Sequence, residues 1–106
     1  MWSRTYGNTG FLEEGNSIVL DGSNLVITGS VRRNNTSNNA LLMKIPVTGG
    51  APVWTRIWDT STLETDAGFD LVQSNISVTG GYAVTGETLR GANSLDPFLW
   101  RTNING

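Results

Sequence analysis

The chain has 106 residues, with seven Lys and Arg against nine Asp and Glu, a formal net charge of −2 and 38% hydrophobic residues. That composition suits one folded domain rather than a disordered segment. The basic residues are scattered, so there is no electrostatic footprint for a phosphate backbone and nucleic acid is not an expected partner. With no Cys there is no disulfide framework or thiolate metal site, and with no His the commonest general base and zinc ligand is missing.

In chain order, short apolar runs alternate with turn chemistry, and none shows the 3.6-residue period of a helix. Met1 to Tyr6 reads as a strand and Gly7 to Glu14 as a polar loop. Ser17 to Leu20 is the next strand, Asp21-Gly22-Ser23-Asn24 supplies a hairpin turn, and Leu25 to Val31 is the second arm. Asn34 to Asn39 is a polar loop, Ala40 to Ile45 a strand, Pro46 to Pro52 a turn-rich link, and Val53 to Trp58 another strand. Beyond the polar stretch Asp59 to Ala67 come strands at Phe69 to Gln73, Tyr82 to Thr88 and Phe98 to Thr102. The expected class is all-β. No apolar run approaches the roughly 20 residues of a membrane span, and MWSRTYGNTG carries no apolar signal core, so neither membrane insertion nor a signal peptide is expected.

The chain repeats itself. LVITG, residues 25 to 29, and YAVTG, residues 82 to 86, lie 57 apart, as do Ala40-Leu41-Leu42-Met43-Lys44 and Pro97-Phe98-Leu99-Trp100-Arg101. Trp2-Ser3-Arg4 aligns with Trp54-Thr55-Arg56 at an offset of 52, and Gly15 and Val19 align with Gly68 and Val72 at 53. The slip to 57 is a four-residue insertion in the loop before Tyr82, where insertions belong. The first copy spans about residues 1–53 and the second about 54–106 of a single two-blade unit.

Four-stranded units of this length fit the blades of a β-propeller. Here the second copy lacks its fourth strand, while an extra strand, residues 1–7, stands at the N-terminus. ALLMKI is apolar on successive residues, as expected of a strand covered on both faces. Two blades alone would leave two apolar faces open, so a ring completed by head-to-tail homo-oligomerisation is expected, each chain donating its first strand to the unfinished blade of the next. Trp2, Arg4 and Tyr6 are the assembly residues on the donated strand, and Leu99 and Trp100 those on the receiving one. A homotrimer is favoured, a tetramer next; a monomeric β-sandwich or small barrel is the alternative.

WSRTYG, G-x-S-I-V, GGYAVTGET at Gly80 to Thr88 and D-x-x-L-x-R from Asp96 to Arg101 resemble the blade repeat of bacterial extracellular β-propeller proteins. The resemblance covers nearly the whole chain and departs from the family pattern at Asn8, Asp59 and Asp21 to Asn24. It implies fold and an extracellular setting rather than an activity, and it carries no catalytic residues or cofactor. In architecture the chain is also similar to short two-blade lectins that trimerise into six-blade rings.

On the blade assignment the longer polar loops emerge on one face, where binding sites are usually placed. Glu13, Glu14, Glu64 and Asp66 bring carboxylates there, and Arg32, Arg33 and Arg90, with Asn35, bring donors suited to hydroxyl-rich or acidic ligands such as glycans. The competing reading is an ordinary solvated surface. Glu13-Glu14 followed by Asn16 is a weak calcium signal, since no D-x-D-x-D-G loop is present, and no metal or cofactor is expected. Among the four Trp, Trp58 is the candidate sugar platform, against the plainer reading that all four pack between blades.

The expected function is therefore a non-enzymatic, self-assembling binding protein, lectin-like through its polar loops. A purely structural assembling module, natural or engineered, is the second reading. A glycosidase using two carboxylates among Glu13, Glu64, Asp66 and Asp70 is the third.

Overall fold

The computed structural model describes residues 1–34, 37–59, 65–74, 80–90 and 94–106, with side chains throughout these except at 33 and 34. It is all-β: among the described residues seven strands form two antiparallel sheets. The first sheet runs in the order β1 (Leu12–Asp21), β2 (Asn24–Asn34), β3 (Ser37–Pro46) and β4 (Trp54–Trp58), and the second in the order β5 (Thr65–Gln73), β6 (Tyr82–Arg90) and β7 (Ser94–Thr102). Each strand follows its predecessor directly, as expected where turn residues rather than crossovers join the apolar runs.

The strands outrun the apolar segments that announce them. Hydrogen bonding continues from Ile18 opposite Ile27 up to Leu12 opposite Arg32, and from Leu41 opposite Gly29 up to Asn38 opposite Arg32. Leu12 to Glu14 of the expected loop Gly7 to Glu14, and Asn34 and Ser37 to Asn39 of the expected loop Asn34 to Asn39, therefore belong to strands. Met1 to Tyr6, expected as a strand, belongs to no ladder within this chain.

β1 and β5, an inner pair bonded to each other across the two sheets, each carry a register irregularity at aligned places, between Gly15 and Ser17 in β1 and between Gly68 and Asp70 in β5. Opposite these kinks stand Gly29 and Gly86, the last residues of LVITG and YAVTG. A Cβ on Gly29 would lie 1.7 Å from the Glu14 carbonyl oxygen, and one on Gly86 would lie 1.9 Å from that of Ala67. The bulged backbone leaves no room for a side chain there, which explains why the Thr-Gly pair recurs.

The sheets meet face to face. Val26 and Leu42 of the first pack with Leu71, Tyr82 and Val84 of the second, flanked by Val19, Trp54, Phe98 and Trp100. Trp58 lies on Phe98 with ring centroids 4.5 Å apart, and Trp54 on Tyr82 at 5.9 Å. Along the inner strands the Asn16 side-chain amide donates to the Gly68 carbonyl and the Ser17 hydroxyl to Asp70 Oδ1, both at 2.9 Å. The opposite face of β3 is also covered: Leu41 and Ile45 are as buried as Ala40 and Leu42.

Gly29→Ala and Gly86→Ala each force the bulged strand away and are expected to cost roughly 1–3 kcal/mol. A denaturant melt of each variant reads this as a lower midpoint, whereas Ala at either site with unchanged stability would mean that the bulge is not tightly packed.

Candidate functional site

Four features stand outside the ordinary core: a buried polar network between the sheets, a polar recess at one end of the first sheet, a groove on the outer face of that sheet, and the bare edge of β7 in the second sheet. The network starts from Lys44, the one charge in ALLMKI. A charge on a strand covered on both faces needs a partner. Lys44 Nζ donates to Asp21 Oδ2 at 2.7 Å and to the Tyr82 hydroxyl oxygen at 3.0 Å. The Tyr82 hydroxyl donates to the same Asp21 oxygen, and the Gln73 amide donates to Asp21 Oδ1 at 2.8 Å.

These bonds fix the titration. The Lys44 hydrogen bond, then that of Tyr82, hold the Asp21 carboxyl below its usual value. Burial opposes the Lys44 ammonium, but its bonds to Asp21 and Tyr82 outweigh this and raise its pKa. Burial, then the Asp21 bond, pushes the Tyr82 phenol up. The groups join β1, β3, β5 and β6, so the network locks the two sheets together and has no free nucleophile or base to offer. The signal that could have found it was the lone Lys in an apolar run.

The recess, of about 230 Å³, lies beside Leu12, Glu13, Glu14, Ser30, Arg32 and Asn38. The β1–β2 ladder continues to its end and sets two of the expected ligand residues, Glu14 and Arg32, on one face, while Glu13, opposite Val31, points to the other face, toward the N-terminal segment. Glu13 Oε1 accepts the backbone N–H of Asn8 at 3.0 Å, and the Asn16 amide is committed to Gly68, so the residues of the weak calcium signal do not converge. Among the described residues no group of three or more potential metal ligands gathers.

The other expected ligand residues fall elsewhere. Asp66, expected on an open loop, lies within β5 and is fully buried. Trp58 is half-buried against Phe98, the packing role rather than a bare platform. Arg90 ends β6 and is exposed. Asn35, Glu64 and the side chain of Arg33 lie outside the described residues.

The expected assembly residues sit at the ends of the molecule. The Trp2 indole N–H donates to the Val47 carbonyl at 3.0 Å, Arg4 Nη1 to that of Gly49, and the Tyr6 hydroxyl to that of Gly50 at 3.0 Å. These bonds lay the N-terminal segment over the first sheet on the side away from the second, leaving a groove of about 630 Å³ beside Tyr6, Leu41, Met43 and Ile57. Leu99 stands out from β7 into solvent, whereas Trp100 turns inward against the shared core. β7 is an edge strand with no neighbour on its outer side among the described residues. Comparison with family models, with curated proteins and with solved structures returns no match.

Asp21→Asn leaves the Lys44 ammonium buried without its counter-charge and is expected to cost on the order of 3 kcal/mol. Because the Asp21 pKa is depressed on folding, its contribution is present at neutral pH and lost as pH falls below about 4; the raised Lys44 and Tyr82 values place the alkaline loss above about pH 10. Denaturation midpoints across pH should show a plateau between these limits, with the acid arm flattened in Asp21→Asn.

Proposed function

We propose that this chain is a non-enzymatic self-assembling protein whose two sheets are β-propeller blades, closed head to tail with further copies into a ring. The carrying observation is a set of aligned residues of which one member is core and its counterpart in the other sheet is bare. Leu42 is 0% exposed while Leu99, its counterpart 57 residues on, is 74% exposed. Leu71 is 3% exposed while Ile18, 53 residues earlier, is 56% exposed. Val19 is packed at the interface, and its counterpart Val72 is 56% exposed.

The pattern extends across whole faces. The second sheet meets the first through Leu71, Tyr82, Val84, Phe98 and Trp100. Their counterparts, Ile18, Leu25, Ile27, Leu41 and Met43, form the face of the first sheet that points away from the second. The exposed face of the second sheet, with Val72, Ala83, Leu99 and Arg101, matches in turn the face that the first sheet uses inside the chain. One copy's second sheet can therefore dock on the next copy's first sheet by the same stacking that joins the two sheets within a chain. Leu99 would then meet Ile18, Leu25 and Ile27.

Removing Leu99 and Ile18 from water contributes roughly 1.5–3 kcal/mol apiece. Such a contact is heterologous, and with two blades per copy three copies make a six-blade ring within the usual range of closures. The recess at Glu14 and Arg32 would recur once per copy around one rim, where weak sites for hydroxyl-rich ligands such as glycans reinforce one another.

Native mass spectrometry of the full chain should give three times the 11.4 kDa subunit. Leu99→Asp alone and Ile18→Arg alone should each give monomers, and the two together should restore the ring by setting opposite charges face to face. A wild-type monomer at micromolar concentration, or single variants that assemble unchanged, would overturn the proposal.

A further inference from the structure

Resting on that ring reading, we infer that the N-terminal segment is a donated strand. Met1 to Tyr6 of one copy completes the second sheet of its neighbour as a fourth strand antiparallel to β7, in the register that sets Trp2 opposite Arg101 and Tyr6 opposite Pro97. The partner is a second copy of this chain, and its unfinished sheet is the binding site.

Two matching cradles carry the inference. On β4, Trp54 and Arg56 close on Gly106 beyond the end of β7: Arg56 Nη2 donates to the Asn105 carbonyl at 2.9 Å and Nε to that of Gly106 at 3.3 Å. A Cβ on Gly106 would lie 3.0 Å from the Trp54 ring. Near the N-terminus, Trp2 and Arg4 close on Gly49 beyond the end of β3, with Arg4 bonded to the Gly49 carbonyl and the Trp2 ring 3.0 Å from where a Cβ would stand. Gly49 and Gly106 lie 57 residues apart, and both have a positive φ, 78° and 85°, which Gly adopts without strain. Met1 to Tyr6 is thus placed against the first sheet as β4 is placed against the second.

β4 has a second attachment that Met1 to Tyr6 lacks. While its Trp and Arg reach the following sheet, its backbone pairs with β3 from Trp54 opposite Lys44 to Trp58 opposite Ala40. The backbone of Met1 to Tyr6 is in no ladder, and β7, the counterpart of β3, has an edge without a partner among the described residues. Within one chain the two cannot meet, because the segment lies on the side of the first sheet away from the second. Between copies they can: when the neighbour's second sheet docks on this first sheet, its β7 enters the groove of about 630 Å³ and comes beside Met1 to Tyr6. Side-chain anchoring on its own subunit pre-organises the donor, so adding it to a partner's edge costs less ordering entropy than recruiting a free tail. The donated strand also covers the β7 edge, an exposed ladder that proteins otherwise protect against unwanted pairing.

The predicted register gives a direct test in the full chain. Ser3→Cys combined with Trp100→Cys places the two thiols on paired residues of different copies, and oxidation should yield a covalent trimer ladder on a denaturing, non-reducing gel. Ser3→Cys with Leu99→Cys, one residue out of register and on the opposite face of the strand, should stay largely uncrosslinked. Thr5→Cys with Phe98→Cys tests the same register independently, should loss of Trp100 impair folding. A protein that is trimeric by native mass but forms no in-register crosslink with either pair would overturn strand donation and leave the ring standing. A monomeric wild-type chain would remove both.

Discussion

A sheet that is apolar on both faces needs a layer on each side, and two such sheets stacked together cover only the faces between them. The organisation of this chain follows from that constraint. The first sheet gives one face, through Val26 and Leu42, to the second sheet. Its other face is covered over β3 by the N-terminal segment but stays bare at Ile18 and Leu20 on β1. The outer face of the second sheet, at Val72 and Leu99, is bare as well. The two bare faces have the residue pattern of the two buried ones, so the most economical cover for each is another copy of the chain.

Local backbone features serve this stacking. The bulges at Gly15 and Gly68 kink each inner strand, and the glycines opposite, Gly29 and Gly86, let the second strands approach closely. The Trp and Arg of WSR and WTR each close on a left-handed glycine, Gly49 and Gly106, tying Met1 to Tyr6 to the first sheet and β4 to the second. The Lys44, Asp21 and Tyr82 network is the exception to the repetition: its counterparts are Arg101, Ser74 and Leu25, so the internal interface carries an ionic lock that the joint between copies would lack. In the proposed ring that difference would make the pair of sheets within one chain the stable unit and the joint between copies the weaker contact.

The strand centres were legible because turn residues bracket them and the two copies corroborate each other. The strand ends were not, since ladders at Glu13 opposite Val31 and Asn38 opposite Arg32 are held by backbone groups that polar side chains do not disturb. The same feature decides where the expected ligand residues lie: Glu14 and Arg32 share a face of one hairpin and Glu13 takes the other, whereas Asp66 is drawn into β5 and buried, which its place in a polar stretch gave no reason to expect. Lys44 was visible only as an anomaly, a charge where both faces demanded apolar residues. Its partners are brought up by tertiary structure, 23 and 38 residues away.

Small-angle X-ray scattering of the full chain across a concentration series tests the central claim most directly, because it reads shape as well as size. A single chain has a Cα radius of gyration of 14.0 Å. Closure into a ring predicts a clearly larger, concentration-independent value and a distance distribution with the depleted centre of an annulus. A value close to 14 Å at every concentration, or one that grows without limit as open filaments form, would contradict it.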